Sequence, residues 1–277
     1  MNTLYVSDLD GTLLRQDATL SAYTVETINR LVMEGLPFTL ATARSIASAR
    51  PAVAGLRLSL PAVMMNGVFL TDIATECHVQ ANYINREAAR HVLRVFLEHD
   101  RPPFVYACPQ GTGIDVTYTQ LRSAYEQEFV AERQKRYHSF LQCEAYEVGD
   151  HTVYINGIDR PAVILPLYEA IRVLPGVRAV CYPDNYDTRY YFLEVFSDES
   201  GKWQGIKRLA QKYGYKRIVA IGDNLNDQEM LEKADLGVAV SNAHPEILKV
   251  ADRVIGDNQS DGVAHFLEEE LNLYKNI

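Results

Sequence analysis

Leu4-Tyr5-Val6-Ser7-Asp8-Leu9-Asp10-Gly11-Thr12 is the stretch on which the reading of this chain turns. An apolar run ends in two carboxylates two positions apart, followed at once by Gly-Thr. Side chains alternate along a strand with a period of two, so a strand carried past Ser7 points Asp8 and Asp10 the same way. Gly11 permits a sharp turn there. Two acids this close repel each other unless a cation or a shared proton relieves them. Taken alone, the pattern also fits a solvated turn at a strand end.

A second stretch breaks the tie. Ile218-Val219-Ala220-Ile221-Gly222-Asp223-Asn224-Leu225-Asn226-Asp227 is again an apolar strand followed by glycine and acids. Two such strand ends predict one acidic cluster at the carboxyl edge of a parallel sheet, where open α/β folds bind ligands. Three or four clustered oxygen ligands suit Mg²⁺, a hard cation that usually works on phosphates. Phe38-Thr39-Leu40-Ala41 runs into Thr42-Ala43-Arg44. That turn offers a hydroxyl, backbone N–H groups and a guanidinium, which together make an anion site. Lys202, in Ser200-Gly201-Lys202-Trp203, opens a helix carrying Ile206, Leu209, Ala210 and Tyr213. A cation at a helix start opposes the macrodipole unless an anion compensates it.

In this order, DxDGT, Thr-Ala-Arg, a lysine and GDxxND resemble the haloacid dehalogenase superfamily of phosphatases. Within it the chain resembles the Cof-type subfamily, which carries an α/β cap inserted between the second and third motifs. The resemblance covers essentially the whole chain, the middle third being matched only in length and alternation. Asn66-Gly67, after Ala62-Val63-Met64-Met65, is a further point of similarity. Cof-type proteins often have glycine after the motif lysine, whereas Trp203 stands there in this chain. So large an aromatic narrows the pocket, stacks on a substrate or packs against the core flank.

The resemblance implies Mg²⁺-dependent hydrolysis of small phosphate monoesters through an aspartyl-phosphate. Asp8 is then the nucleophile, with Mg²⁺ and Lys202 withdrawing charge from the phosphate so that two anions can approach. Asp10 is the general acid for the leaving oxygen, and afterwards the base that activates water. By similarity, Asp8, Asp223 and the backbone carbonyl of Asp10 hold the metal. Thr42, Lys202, Asn226 and the N–H groups of Leu9 and Ala43 hold the phosphoryl oxygens. Asn224 and Asp227 orient these groups, and Arg44 and Asn66 support them or touch substrate. The contrasting expectations are a sugar phosphomutase, which must keep water from its phospho-aspartate, and a non-catalytic phospholigand-binding protein. Sugar phosphates, nucleotides, pyridoxal phosphate and flavin mononucleotide all fit the sequence equally.

The organisation of the chain supports this reading. Residues 1 to about 80 alternate strand and helix, with Ser21 capping a helix that Gly35 stops, then a helix over 46–56 and a strand from Ala62 to Met65. The alternation returns from Lys202 onward, which predicts a parallel, Rossmann-like α/β core. Between them the rhythm is lost: a helix over 86–99, strand-like runs, a polar helical stretch over 120–136, and strands near 177–181 and 190–196. The expected organisation is a core of 1–80 and 189–277 with an inserted α+β cap of 81–188 that carries substrate specificity. Twelve of the seventeen tyrosines fall between Tyr83 and Tyr191. They serve either to grip polar ligands or to fill a half-exposed sheet.

At 277 residues the chain admits one large α/β domain or two ordinary ones. A net charge of -9 argues against a nucleic-acid surface, which needs a basic stripe. The N-terminus shows no basic segment followed by an apolar one, and no run reaches the length of a membrane span. Cys77, Cys108, Cys143 and Cys181 lack CxxC spacing and read as reduced thiols of a cytoplasmic protein. The expected partner is a small phosphorylated metabolite, with neither nucleic acid nor membrane, for a monomer or homodimer.

Overall fold

The computed structural model describes residues 2–109, 113–135, 139–184 and 187–275. The chain divides into two compact units, Met1–Gln80 with Gly201–Ile277, and Ala81–Ser200. The opening segment contributes β1 (Thr3–Ser7), α1 (Ala22–Met33), β2 (Phe38–Leu40), α2 (Ile46–Ala52), β3 (Ala62–Met64), β4 (Phe69–Thr71) and β5 (His78–Ala81). The middle holds α3 (Arg86–Glu98), β6 (Phe104–Ala107), β7 (Asp115–Tyr118), α4 (Ala124–Gln134), β8 (Phe140–Gln142), β9 (Thr152–Asp159), α5 (Pro161–Ile171), β10 (Val177–Pro183) and β11 (Tyr191–Ser197). The closing segment adds α6 (Lys202–Tyr213), β12 (Arg217–Gly222), α7 (Gln228–Lys233), β13 (Leu236–Val240), α8 (Pro245–Val250), β14 (Arg253–Ile255) and α9 (Gly262–Lys275).

In the first unit a parallel sheet runs in the order β14-β13-β12-β1-β2. Every residue of β1 is buried, as befits a central strand covered on both faces. Helix α1 starts where Ser21 Oγ accepts the Thr24 N–H, and Gly35 follows its end at a φ of 93°. Strand β3 joins the parallel array through a single bridge, Ala41 to Val63, and then turns back antiparallel into β4. Helix α2 ends at Ala52, short of the expected 56, with Pro51 in its last turn. Proline withholds the N–H that a continuing ladder needs.

The second unit is a six-stranded sheet, β10-β11-β9-β6-β7-β8, antiparallel except between β7 and β8. On one face Phe96, Val92 and Ala89 of α3 meet Ile164 and Leu167 of α5 and Ile155, Leu193 and Val195 of the sheet. On the other, Phe129 and Val130 of α4 meet Phe104, Val116, Phe140, Ile158 and Phe192. Helix α4 begins at Ala124 rather than 120, because Ser123 and Glu126 close a reciprocal capping box. The expected end of that helix at 136 lies outside the described residues. Strand β11 pairs with β9 and β10 inside this unit, which therefore extends to Ser200, beyond the boundary of 188 expected from sequence.

Candidate active site

The central position of β1 brings the two acidic strand ends together. Ser7 pairs with Ile221 on one side and Leu40 on the other, so Asp8, Gly222-Asp223 and Thr42 all emerge at the same sheet edge. The Asp8 N–H still donates to the Ile221 carbonyl at 2.8 Å. The chain then turns at Gly11, whose φ is 76°, and a Cβ there would sit 2.4 Å from Asp223 Oδ2. Only glycine lets this loop come so close to the second carboxylate.

Lys202 Nζ reaches from the first turn of α6 into the cluster, donating at 2.6 Å to both Asp8 Oδ1 and Asp227 Oδ1. All three side chains are buried. The second oxygen of Asp227, Oδ2, accepts the N–H groups of Asp223 and Asn224, each at 3.1 Å. Thr12 Oγ1 donates to Asp223 Oδ1 at 2.7 Å. Burial pushes the Asp8 carboxyl well above the usual carboxylate range, Asp227 adds to the push, and Lys202 opposes it. Asp223 is pushed up to about 6 by burial, against the Thr12 hydrogen bond and with help from Asp227. Burial works against the Lys202 ammonium, but Asp227 and Asp8 outweigh it and raise its pKa.

Asp10 lies further out. Its half-exposed carboxylate takes a two-pronged ion pair from Arg44, Nε to Oδ2 at 2.8 Å and Nη2 to Oδ1 at 2.5 Å. The Arg44 N–H donates in turn to Thr42 Oγ1 at 3.1 Å, leaving the Thr42 hydroxyl hydrogen for another acceptor. The Asn66 N–H donates to the Thr42 carbonyl at 3.1 Å. Leu9 is fully buried between the two acids, and Ala43 is half-buried. Asn224 and Asn226 are exposed, on a short 3₁₀ turn before α7. Trp203 is half-buried in the first turn of α6.

Sequence reasoning assigned no role to Thr12 or Gly222. Thr12 is the last residue of the opening motif, so its signal was in plain view. A Cβ on Gly222 would meet Asp227 Cβ at 2.7 Å, so that glycine clears room for the buried carboxylate.

Carboxylate oxygens of Asp8, Asp223 and Asp227 all lie within 4.8 Å of one another. Two buried acids and the half-buried Asp223 stand around a single ammonium, and this surplus of negative charge fits an oxygen-seeking cation. Because both Asp227 oxygens are already engaged, Asp8 and Asp223 are the side chains that fit the cation.

Residues 5–267 match the model of a haloacid dehalogenase-like hydrolase, and the chain belongs to that family. A Bacillus subtilis relative, 5-amino-6-(5-phospho-D-ribitylamino)uracil phosphatase YitU, is 27% identical over 98% of both chains. The Escherichia coli pyridoxal phosphate phosphatase YbhA is 27% identical over 95% of this chain and 97% of its own. Among solved structures, a haloacid dehalogenase-like hydrolase from Bacteroides thetaiotaomicron superposes with a TM-score of 0.77 at 22% identity, over 97% of this chain and 99% of that one. A Thermotoga maritima protein gives 0.77 at 21% identity, over 97% of each chain. These two likenesses concern the fold. Among the described residues, no helix is long and apolar enough to cross a membrane.

Proposed function

We propose that this protein is a phosphatase that hydrolyses small phosphate monoesters with Mg²⁺ by way of a phosphorylated Asp8. The observation that carries the reading is Lys202 Nζ at 2.6 Å from the buried Asp8 and Asp227, beside the half-buried Asp223. Lys202 sets a fixed cation beside Asp8 and works against the burial that disfavours its charge, favouring the anionic nucleophile that attack on a phosphoryl group requires. The relatives named for phosphorylated uracil and pyridoxal compounds support small metabolites as the substrate class.

Asp8 Oδ attacks phosphorus, and the bond to the substrate oxygen breaks. Asp10, released from the Arg44 ion pair and protonated, gives its proton to that oxygen, which leaves as an alcohol. Asp10 then takes a proton from water, whose oxygen attacks phosphorus and releases phosphate and the Asp8 carboxylate. Lys202, the Thr42 hydroxyl and the N–H groups of Leu9 and Ala43 hold the phosphoryl oxygens, with Asn226 at the rim. Asp227 fixes Lys202 and the 223–224 backbone, and Thr12 fixes Asp223. Asp8, Asp223 and the Asp10 carbonyl would hold Mg²⁺, which would supply positive charge against the phosphoryl oxygens. We assign substrate selection to the second unit.

The test is a Mg²⁺-supplemented screen of purified protein against a panel of phosphate monoesters. Stoichiometric phosphate release from one monoester without a bisphosphate activator is expected. No release from any of them, or a demand for a bisphosphate, refutes the hydrolase in favour of a binding protein or a mutase.

A further inference from the structure

Between β3 and β4 the backbone does something the sequence motif does not explain. Met65, Asn66 and Gly67 take φ values of 48°, 52° and 81°, three left-handed residues in a row. That conformation costs a residue with a Cβ roughly 1–2 kcal/mol, so its surroundings must enforce it. On one side the segment is stitched to the anion-binding turn. The Thr42 N–H donates to the Val63 carbonyl at 2.9 Å, the Met65 N–H to the Arg44 carbonyl at 3.0 Å and the Asn66 N–H to the Thr42 carbonyl at 3.1 Å.

On its other side the same segment is pressed against the start of α6. A Cβ on Gly67 would lie 2.1 Å from the Gly201 carbonyl oxygen. A Cβ on Gly205 would lie 2.4 Å from Val63 Cγ1 and 3.3 Å from Gly67 Cα. Arg208, further along α6, donates from Nη2 to the Gly67 carbonyl at 2.9 Å. The Gly201 carbonyl itself accepts the Gly205 N–H at 2.9 Å, the first bond of the helix. Lys202 stands between these two glycines, so the depth to which α6 sinks onto β3 decides how far its ammonium reaches.

We propose that this glycine seam, Val63 and Gly67 against Gly201 and Gly205, sets the reach of Lys202, and that Val63, Gly67 and Gly205 are positioning residues for it. The proposal rests on the reading that Lys202 grips the transferred phosphoryl group. Relieving a 2.1 Å contact to van der Waals separation needs a shift on the order of 1 Å. A misplacement of that size costs a catalytic group about 10²-fold.

The experiment compares Gly67→Ala, Gly205→Ala, the double variant Val63→Ala/Gly205→Ala and Arg208→Met in the full chain. For each, kcat and KM for p-nitrophenyl phosphate and inhibition by inorganic phosphate are measured at saturating Mg²⁺, well below Tm. Gly67→Ala should lower kcat about 10²-fold and weaken inhibition by phosphate. Gly205→Ala should lose about tenfold, and the double variant should recover most of it, because trimming Val63 makes room for the added methyl. A purely architectural seam predicts losses confined to Tm, with kcat, KM and phosphate inhibition per folded molecule unchanged in every variant.

If Gly67→Ala does not fold, the recovery in the double variant and a smaller kcat loss in Arg208→Met decide the matter. Unaltered kcat, KM and phosphate inhibition in folded Gly205→Ala overturns the proposal. A wild-type protein without phosphatase activity refutes the functional reading instead. The seam is then judged by a crystal structure of Gly205→Ala, where a Lys202–Asp8 contact still at 2.6 Å refutes it.

Discussion

Lys202 in the first unit and Arg101 in the second are both buried cations held by carboxylates, yet they are balanced differently. Arg101 donates to Glu126 Oε1 at 2.8 Å and the Ile158 carbonyl at 2.6 Å, with Asp159 3.2 Å away. The other oxygen of Glu126 accepts the N–H groups of Arg122 and Ser123. That network ties α4 to β9, although the buried Arg101 Nε makes no hydrogen bond of its own. Lys202 instead stands among three acids whose carboxylate oxygens lie within 4.8 Å of one another and could hold a cation. A buried ion pair anchored by backbone N–H and carbonyl groups holds elements in register, whereas a cluster of acids around one ammonium is a place for a ligand.

The largest test of this contrast is Asp8→Asn. Turnover should fall by several orders of magnitude because the whole covalent route is lost. Because burial already disfavours the Asp8 charge, Tm should not fall with it. A cleanly purified variant that keeps substantial activity removes Asp8 from its role. Next comes the metal: exhaustive chelation should abolish hydrolysis, and Mg²⁺ should restore it better than Ca²⁺, whose larger and looser coordination misplaces the phosphoryl group. Full activity after chelation contradicts the cation argument.

Arg101→Met should strand Glu126 and cost about 3–5 kcal/mol in denaturant unfolding, with kcat per folded molecule unchanged. A kcat loss without a stability loss would erase the distinction between the two networks. Smaller again is Tyr182→Phe, which removes the hydroxyl that donates to Glu194 at 2.5 Å on the second unit's sheet. If that unit selects substrates, their ranking should shift several-fold while acetyl phosphate hydrolysis stays nearly intact. Equal losses on every substrate point to tyrosine as sheet filler.

The smallest effect is a pH slope. Burial raises the Glu126 carboxyl, with Arg101 and two N–H bonds only partly opposing it. A folded-state pKa above the unfolded one gives stability that is complete below the unfolded value and lost as pH rises through the folded value. Unfolding free energy should therefore decline more steeply from acid to neutral pH in the wild type than in Glu126→Gln. Parallel slopes would remove Glu126 from the account.

Much of the first unit was legible because its signals are local. Asp8, Asp10 and Asp223 follow apolar runs, Ser21 and Gly35 bracket α1, and the lysine stands where α6 opens. What could not be read depends on partner choice. Tyr191-Phe192-Leu193-Glu194-Val195-Phe196 is plainly a strand, but nothing in its pattern says that it pairs antiparallel with β9 and β10. Strand β8 is three residues long, too short for a period to register. Asp227 was expected to orient its neighbours. Its two-sided engagement puts the turn's own N–H groups on one oxygen, but Lys202 on the other comes from 25 residues away. Thr12 sits inside the motif, yet its partner Asp223 lies 211 residues away.

That last separation has a consequence for how the protein is made. Strand β1 is flanked by β2 and β12, so the sheet at its centre stays half-built until β12 leaves the ribosome. At ordinary translation speeds the wait between Thr12 and Asp223 is on the order of ten to forty seconds. The second unit is synthesised entirely within that interval, and its strand pairs lie within its own segment, so the nascent chain can complete it first. Asp8 therefore waits for Asp223 and Asp227 through the synthesis of the whole second unit, and the acidic trio assembles only after that unit's segment has been made.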